Sequence, residues 1–411
     1  MKNLDSRIAR AIIDVVGSSG VPPEYGFQFF TVGLEPYLSV ISEEYLSTFI
    51  KQGGSAFKMV IGIYGGGKTH FLYCVRDLAW QNNFLVSYVS LSSTHSPFHR
   101  LDLVYKAIVN GITPPLEPNE LLSGYEKGIA SFIRYWFGTK VKELYDKGLS
   151  KEELQETLLS QVENIEGIES ISFAKAIKSA IHALSSKQEE DFANICQWLT
   201  GEGYDRRIHR RYGILQRIDR TTAFVMFRSL VRWIREIGFS GLVILLDEAE
   251  RLPSLSTREK ELHLNNLREL IDECGHTSFQ GVMIFYAVPD ENFLQGRTQI
   301  YEALKQRVST VFDSINPTGV KIELEKLSAE NPIVMLEEVG DKLRQIYELA
   351  YSRCFENYED VKETIHTIAK KAYEQRFMDI GYKRLFVQKA IQGLHFLKQK
   401  GHPPSATDLD M

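Results

Sequence analysis

Cysteine is scarce and scattered, with four in 411 residues: Cys74, Cys196, Cys274 and Cys354. His276 stands two residues from Cys274, but no second pair completes a metal-ligand set, which argues against a disulfide scaffold and a structural zinc site. A reduced compartment is the simplest expectation. Long apolar runs are missing too. Nothing approaches the roughly 18 consecutive apolar residues of a membrane-spanning helix, and Asp5, Arg7 and Arg10 interrupt the apolar block that a secretory signal would need. Together these absences predict a cytoplasmic location with no membrane contact. Nor is there an excess of either charge: 48 basic against 53 acidic residues leave a net charge of -5. Any contact with nucleic acid must therefore come from a local patch. Internal repeats and low-complexity segments are absent as well.

What is present is material for a large core, with 44% hydrophobic residues. Short branched runs predict strands over Lys58–Ile63, Phe84–Leu91, Leu242–Leu246 and Val282–Val288, with a weaker fifth over Val320–Leu324. Apolar on both faces and separated by helical patterns, they predict an α/β fold with a mostly parallel sheet covered by helices on both sides. The spacing is uneven. Between the second and third strands the sequence is almost wholly helical in pattern (YEKGIASFIRYWF, KEELQETLLSQVENI, FAKAIKSAIHAL, FANICQWL), more than one crossover helix needs. The chain therefore divides into an amino-terminal segment with the first half of a core (1–112), a helical insertion (113–240), the second core half (241–326) and a helical lid (327–411). Lid helices are expected over about Pro332–Cys354, Tyr358–Arg376 and Tyr382–Lys400.

Two motifs carry chemistry. Gly62-Ile63-Tyr64-Gly65-Gly66-Gly67-Lys68-Thr69 fits G-x-x-x-x-G-K-S/T between a strand and a helix predicted over Lys68–Gln81. The glycines, Gly62, Gly65, Gly66 and Gly67, let the backbone curl its N–H groups around phosphate oxygens, and the helix adds its positive end. Lys68 reaches the outer phosphates, Thr69 is placed to ligate magnesium, and His70 follows in the first helical turn. The second motif is the strand LVILL running into Asp247, Glu248, Ala249 and Glu250. Parallel sheets bind ligands at the carboxyl ends of their strands, so Asp247 is expected beside the loop as a magnesium ligand. Glu248 is expected to activate water, with Glu250 more distant. These residues point to ATP with Mg2+ and to a P-loop ATPase.

The pairing of GIYGGGKT with LLDEAE resembles the AAA+ superfamily, above all its initiator-like branch. FTVGLEPYL, FKMVIGIYGGGKTHFLYCVRDLA and VSLSS followed by Pro97-Phe98 resemble the ATP-binding proteins of BREX-type phage-defence systems, over roughly Gly20–Asn110 and Gly241–Gly393. The resemblance implies an AAA+ core with a sheet ordered as in initiator-like members. It also implies an ATPase that couples nucleotide state to assembly with DNA-acting partners, as a homo-oligomer or with other defence proteins such as a helicase. By position it implies that Phe30, Val32 and Gly33 border the adenine. Arg307 would be an arginine finger for a neighbouring subunit, with Lys305 its rival, and Arg384 would be a lid arginine on the outer phosphate. Either arginine has a plainer reading as a solvated or salt-bridged helix residue. One departure stands out: Tyr286-Ala287-Val288-Pro289-Asp290 ends the fourth strand without the polar residue that positions water.

Arg206, Arg207, Arg210 and Arg211, with Arg217 and Arg220 beyond, concentrate positive charge at the end of the insertion. If helical, Arg206, Arg210 and Arg217 would share a face able to follow a phosphate backbone; alternatively they are a solvated face paired with Asp205 and Asp219. Two further functions compete with the ATPase. A scaffold that holds ATP without hydrolysis would suit the missing polar residue, whereas a small-molecule kinase is disfavoured by the adjacent carboxylates.

Overall fold

The computed structural model describes residues 4–92, 94–150, 153, 157, 158, 160, 167–248, 255–275, 278–294, 299–327, 331–376, 381–405 and 407–409. Glu250, His276 and most of the helix expected over residues 151–165 lie outside them.

Six strands form one sheet: β1 (Ser55–Ile61), β2 (Leu85–Ser90), β3 (Ile112–Thr113), β4 (Leu242–Asp247), β5 (Val282–Val288) and β6 (Lys321–Glu323). Their order is β3-β2-β4-β5-β1-β6. All neighbours are parallel except the short edge strand β3, which is antiparallel to β2. The middle strands are buried along their whole length, as in β5, whose seven residues are all buried. That burial explains why they read as unbroken apolar runs rather than alternating ones.

Alternation survives as a choice between two cores. Val243 and Leu245 of β4 face one way, against Phe71, Leu72 and Val75 of α2 (Lys68–Gln81). Ile244 and Leu246 face the other way, into a core shared with the helices Ile129–Asp146, Ile171–Ser185, Glu189–Leu199 and Ala223–Glu236 and with α3 (Thr257–Gly275). In Ala223–Glu236, Met226, Phe227, Leu230, Trp233 and Ile234 are buried, the spacing of a single helical stripe.

A third core lies beside the loop end of the sheet. Helix α1 (Ser6–Ser19) buries Ile8, Ile12, Ile13 and Val16 against α5 (Pro332–Tyr351) and α7 (Tyr382–Lys400), on both of which α6 (Tyr358–Glu374) packs, while α4 (Gln299–Arg307) packs near α3. Side-chain caps fix the starts of these helices: Asp5 accepts from Ile8 N, Asn331 from Ile333 N and Val334 N, and Asn357 from Glu359 N. Helix α7 begins instead at Gly381, and a Cβ there would stand 2.0 Å from the Tyr64 carbonyl oxygen. The absence of a side chain lets the first turn of α7 rest on the loop after β1.

Candidate functional site

Residues 62–67 join β1 to α2. Gly67 precedes the helix with φ 100°, a region closed to most side chains, and so turns the chain directly from loop to helix. The first N–H groups of α2 have no carbonyl partner within the helix, which makes that end a seat for anions. Lys68 is buried, and its Nζ donates to Gly62 O at 2.8 Å and Ile63 O at 3.2 Å. Its ammonium thus lies within the curl of the loop.

β4 delivers the acids to the same edge. Asp247 is 2% exposed, and its Oδ2 accepts from Thr69 Oγ1 at 2.8 Å and from Tyr88 OH at 2.6 Å, while Oδ1 accepts from Glu248 N at 2.8 Å. Burial and the facing Asp247 carboxylate push the Tyr88 phenol far up, so Tyr88 remains a donor. Glu248 is exposed and stands in the left-handed region at φ 57°, and Ser90 Oγ donates to its Oε2. In β2, Tyr88 and Ser90 lie two residues apart on one face, each serving one of the two carboxylates.

A cavity of about 560 Å³ opens above this edge. Tyr64, the three glycines Gly65–Gly67, Lys68, Thr69, His70, Asp247 and Glu248 line it on the sheet side. Opposite is an apolar wall built from Phe30, Val32 and Leu34 and from Met335, Leu336, Val339 and Val387 of the carboxyl-terminal helices. His70 lies between Phe27 and Phe30 with ring centroids at 5.6 and 5.3 Å, and its Nε2 meets Thr31 Oγ1 at 2.7 Å. Burial pushes its pKa down to about 4, so the ring is neutral. Gly33 adjoins this wall without lining it. Gly62 sits beneath the loop and contributes its carbonyl to Lys68.

Arg384 lines the cavity from α7; its Nε donates to Ser19 O at 2.8 Å and one terminal nitrogen to Tyr64 OH at 2.7 Å. Beside it is Lys383, which motif reading passed over. Arg307 lies outside the cavity, where its Nε and a terminal nitrogen meet the two oxygens of Asp272 on α3 at 2.5 and 3.0 Å. Lys305, on the same short helix, is exposed. Among the described residues lining the cavity, none comes from β5.

The model of the BREX system ATP-binding protein BrxC/D family matches residues 4–408, nearly the whole chain. The chain belongs to the BrxC/D family. No curated protein and no solved structure matches it. As a BrxC/D protein it has an α/β architecture consistent with a P-loop nucleotide-binding fold, with the loop, the acidic strand end and the apolar wall brought to one cavity. Among its described residues, no helix is long and apolar enough to cross a membrane.

The arginine cluster of this BrxC/D chain differs from the helix expected. Arg206–His209 is a single turn, Arg210–Tyr212 continues as a 3-10 turn, and Gly213 at φ 76° ends it, so Arg217 does not share a helical face with Arg206 and Arg210. Asp205 caps the turn, and the buried His209 and Tyr212 pin it down. Arg206, Arg207 and Arg210 project outward, exposed, whereas Arg211 pairs with Asp191 and Arg217 with Asp219. Among the described residues, no group of three or more His, Cys, Asp or Glu side chains could hold a metal by itself. Among the described residues lining the cavity, the Thr69 hydroxyl and the Asp247 carboxylate meet at 2.8 Å, and the Ser90 hydroxyl and the Glu248 carboxylate stand on the same side.

Proposed function

We propose that this BrxC/D protein is an AAA+ ATPase of phage defence that binds ATP with magnesium, hydrolyses it, and couples nucleotide state to assembly with DNA-acting partners in the cytoplasm. The observation that carries the reading is the 2.8 Å contact between Thr69 of the loop and Asp247 of the acidic strand. The sheet order supports it: β5 separates the loop strand β1 from the acidic strand β4, and β6 flanks β1, an order like that of initiator-like AAA+ proteins. On this reading residues 113–240 are the insertion and 327–411 the lid.

Each side chain then has a task. Phe30 and Val32 pack against the adenine, the loop N–H groups and Lys68 hold the phosphates, and His70, being neutral, adds no charge there. Thr69 and Asp247 offer two hard oxygens, a set that fits magnesium completed by phosphate oxygens and water. When bound, the ion supplies neutralisation of phosphate charge. Glu248 takes a proton from the water whose oxygen attacks the terminal phosphorus, and ADP leaves. Arg384 steadies the outer phosphate from the lid, and Arg307 serves the nucleotide of a neighbouring subunit. Arg206, Arg207 and Arg210, exposed on a chain of net charge -5, supply the local patch for DNA phosphates.

Phosphate release from the purified protein, with and without DNA, tests the reading. Wild type is expected to turn over continuously and faster with DNA. Lys68→Ala is expected to lose ATP binding. Glu248→Gln is expected to keep ATP binding while losing turnover by roughly 10² to 10⁴. Unchanged ATP affinity in Lys68→Ala would show that the nucleotide sits elsewhere. A second reading, a scaffold that holds ATP unhydrolysed while docking a partner, is favoured by the lack of a β5 residue in the cavity. Stoichiometric recovery of intact ATP after long incubation with DNA would decide for it.

A further inference from the structure

The first turn of α7 meets the loop through more than Arg384. Lys383 Nζ lies 3.3 Å from Gly66 O and 3.8 Å from Glu325 Oε1, and Glu325 follows β6 on the short helix Leu324–Leu327. Tyr382 OH donates to the other oxygen, Glu325 Oε2, at 3.1 Å. Glu325 Oε1 is shut off from water, with no donor in hydrogen-bonding range. It is pressed so close to the loop that a Cβ on Gly66 would stand 2.9 Å from it. A carboxylate at the back of a phosphate loop repels what the loop is built to hold, and the cation beside it is Lys383. Burial pulls the Lys383 ammonium below the ordinary lysine range, while Glu325 opposes the shift. Arg384 directs its guanidinium to Ser19 O and Tyr64 OH, whereas Lys383, which also lines the cavity, keeps its ammonium against Gly66 of the loop.

We propose that Lys383 is a second phosphate-reading cation of the lid, held against the loop by Glu325 and turned to the phosphate chain when ATP is bound. The inference rests on reading this cavity as the ATP site, and it adds a residue and its counter-ion to that site. The lid then registers a polyphosphate through two neighbouring side chains, and Glu325 weakens binding while storing the cation where it is needed. A pair whose role is only to tie the lid down behaves differently. In that case removal of either partner strands the other's charge, and removal of both relieves the loss.

Affinities for a fluorescent ATP analogue and for inorganic tripolyphosphate, measured on full-length Lys383→Met, Glu325→Gln and the double variant, separate the two. Lys383→Met is expected to weaken both ligands by a similar factor, roughly ten- to a hundredfold for a lost charged hydrogen bond. Glu325→Gln is expected to bind both as tightly as wild type or more tightly, and the double variant to follow Lys383→Met. Equal losses in the two single variants with recovery in the double would overturn the proposal, as would unchanged tripolyphosphate affinity in Lys383→Met. Thermal unfolding without ligand identifies a variant that has failed to fold, and Glu325→Gln, which removes a negative charge beside the loop, then carries the test by its own sign. Lys68→Ala run alongside keeps the two readings apart. If it too leaves ATP affinity intact, the site assignment fails; if it alone abolishes binding, only the role of Lys383 does.

Discussion

Tyr88 shows how much of this site is a problem of buried charge. Its hydroxyl is one of two side-chain donors to Asp247 Oδ2, the other being Thr69. Tyr88→Phe leaves a 2%-exposed carboxylate with a lost partner, which costs about 1 to 3 kcal/mol. Magnesium with ATP would supply positive charge to the same carboxylate, so the loss is expected to shrink when both are saturating. Chemical unfolding of wild type and variant in the two conditions measures this, and an equal loss in both would separate Asp247 from the metal. Lys58 offers a pH test far from the site. It is 1% exposed on β1 and donates to Tyr45 OH, Pro317 O and Gly319 O at 2.7, 2.9 and 2.6 Å, and burial pushes its pKa down to about 7. The unfolded chain keeps that proton up to the ordinary lysine range near 10.4. Between those limits the unfolded state binds more protons than the folded one, so stability rises with pH, by about 1.4 kcal/mol per unit, and the gain is gone below about pH 7. Subtracting the curve of Lys58→Met isolates the effect, and a flat difference between pH 7 and 10 would refute it.

Among the elements, α7 rests its first turn directly on the loop after β1. Gly381 has φ -53°, which any residue can adopt, so its constraint is space alone. Gly381→Ala drives a methyl into the Tyr64 carbonyl, and backbone must move; overpacking of this kind costs about 1 to 3 kcal/mol. Because the strain falls between α7 and the loop, ATP affinity is expected to drop about tenfold or more, a larger loss than the unfolding midpoint without nucleotide shows. Equal losses of affinity and stability would argue against a separable lid. The elements also mark what the sequence could reveal. β1, β2, β4, β5 and α2 were legible because each is a buried run or a motif with local punctuation, and the helices from Pro332 onward because their apolar stripes are strong. Two-residue β3 carries too few side chains to show a pattern. The π-helix over Ile41–Phe49 depends on Ser47 and Thr48 hydroxyls bonded to carbonyls four and five residues back, a detail with no periodic trace. The packing of α1 on the carboxyl-terminal helices is a long-range contact, and Lys383 was hidden because only the approach of α7 to the loop gives that lysine a neighbour of interest.

At the scale of the whole molecule, on the proposed reading, Arg307 serves a neighbouring subunit rather than its own chain. Within one chain its guanidinium is occupied on two nitrogens by Asp272 and donates to Ala303 O at 3.0 Å, with the side chains 34% and 31% exposed. The pair is bidentate, but about a third of each side chain is open to solvent, which screens it; on the proposed reading a neighbour's triphosphate, with several charged oxygens, competes for the arginine when subunits meet. The exchange has a concentration signature. At low protein concentration wild type and Arg307→Ala are expected to hydrolyse ATP equally slowly. As concentration rises, wild type should accelerate while the variant does not, since a finger in place contributes on the order of 10³ to 10⁵ in rate. Asp272→Asn releases the guanidinium in advance, so its acceleration should begin at lower concentration and its native mass should shift to an oligomer with less ATP. Turnover per subunit that stays flat for wild type over a hundredfold range of concentration would make Arg307 a structural ion pair of α3 and α4, and would place the coupling of nucleotide to assembly in the lid instead.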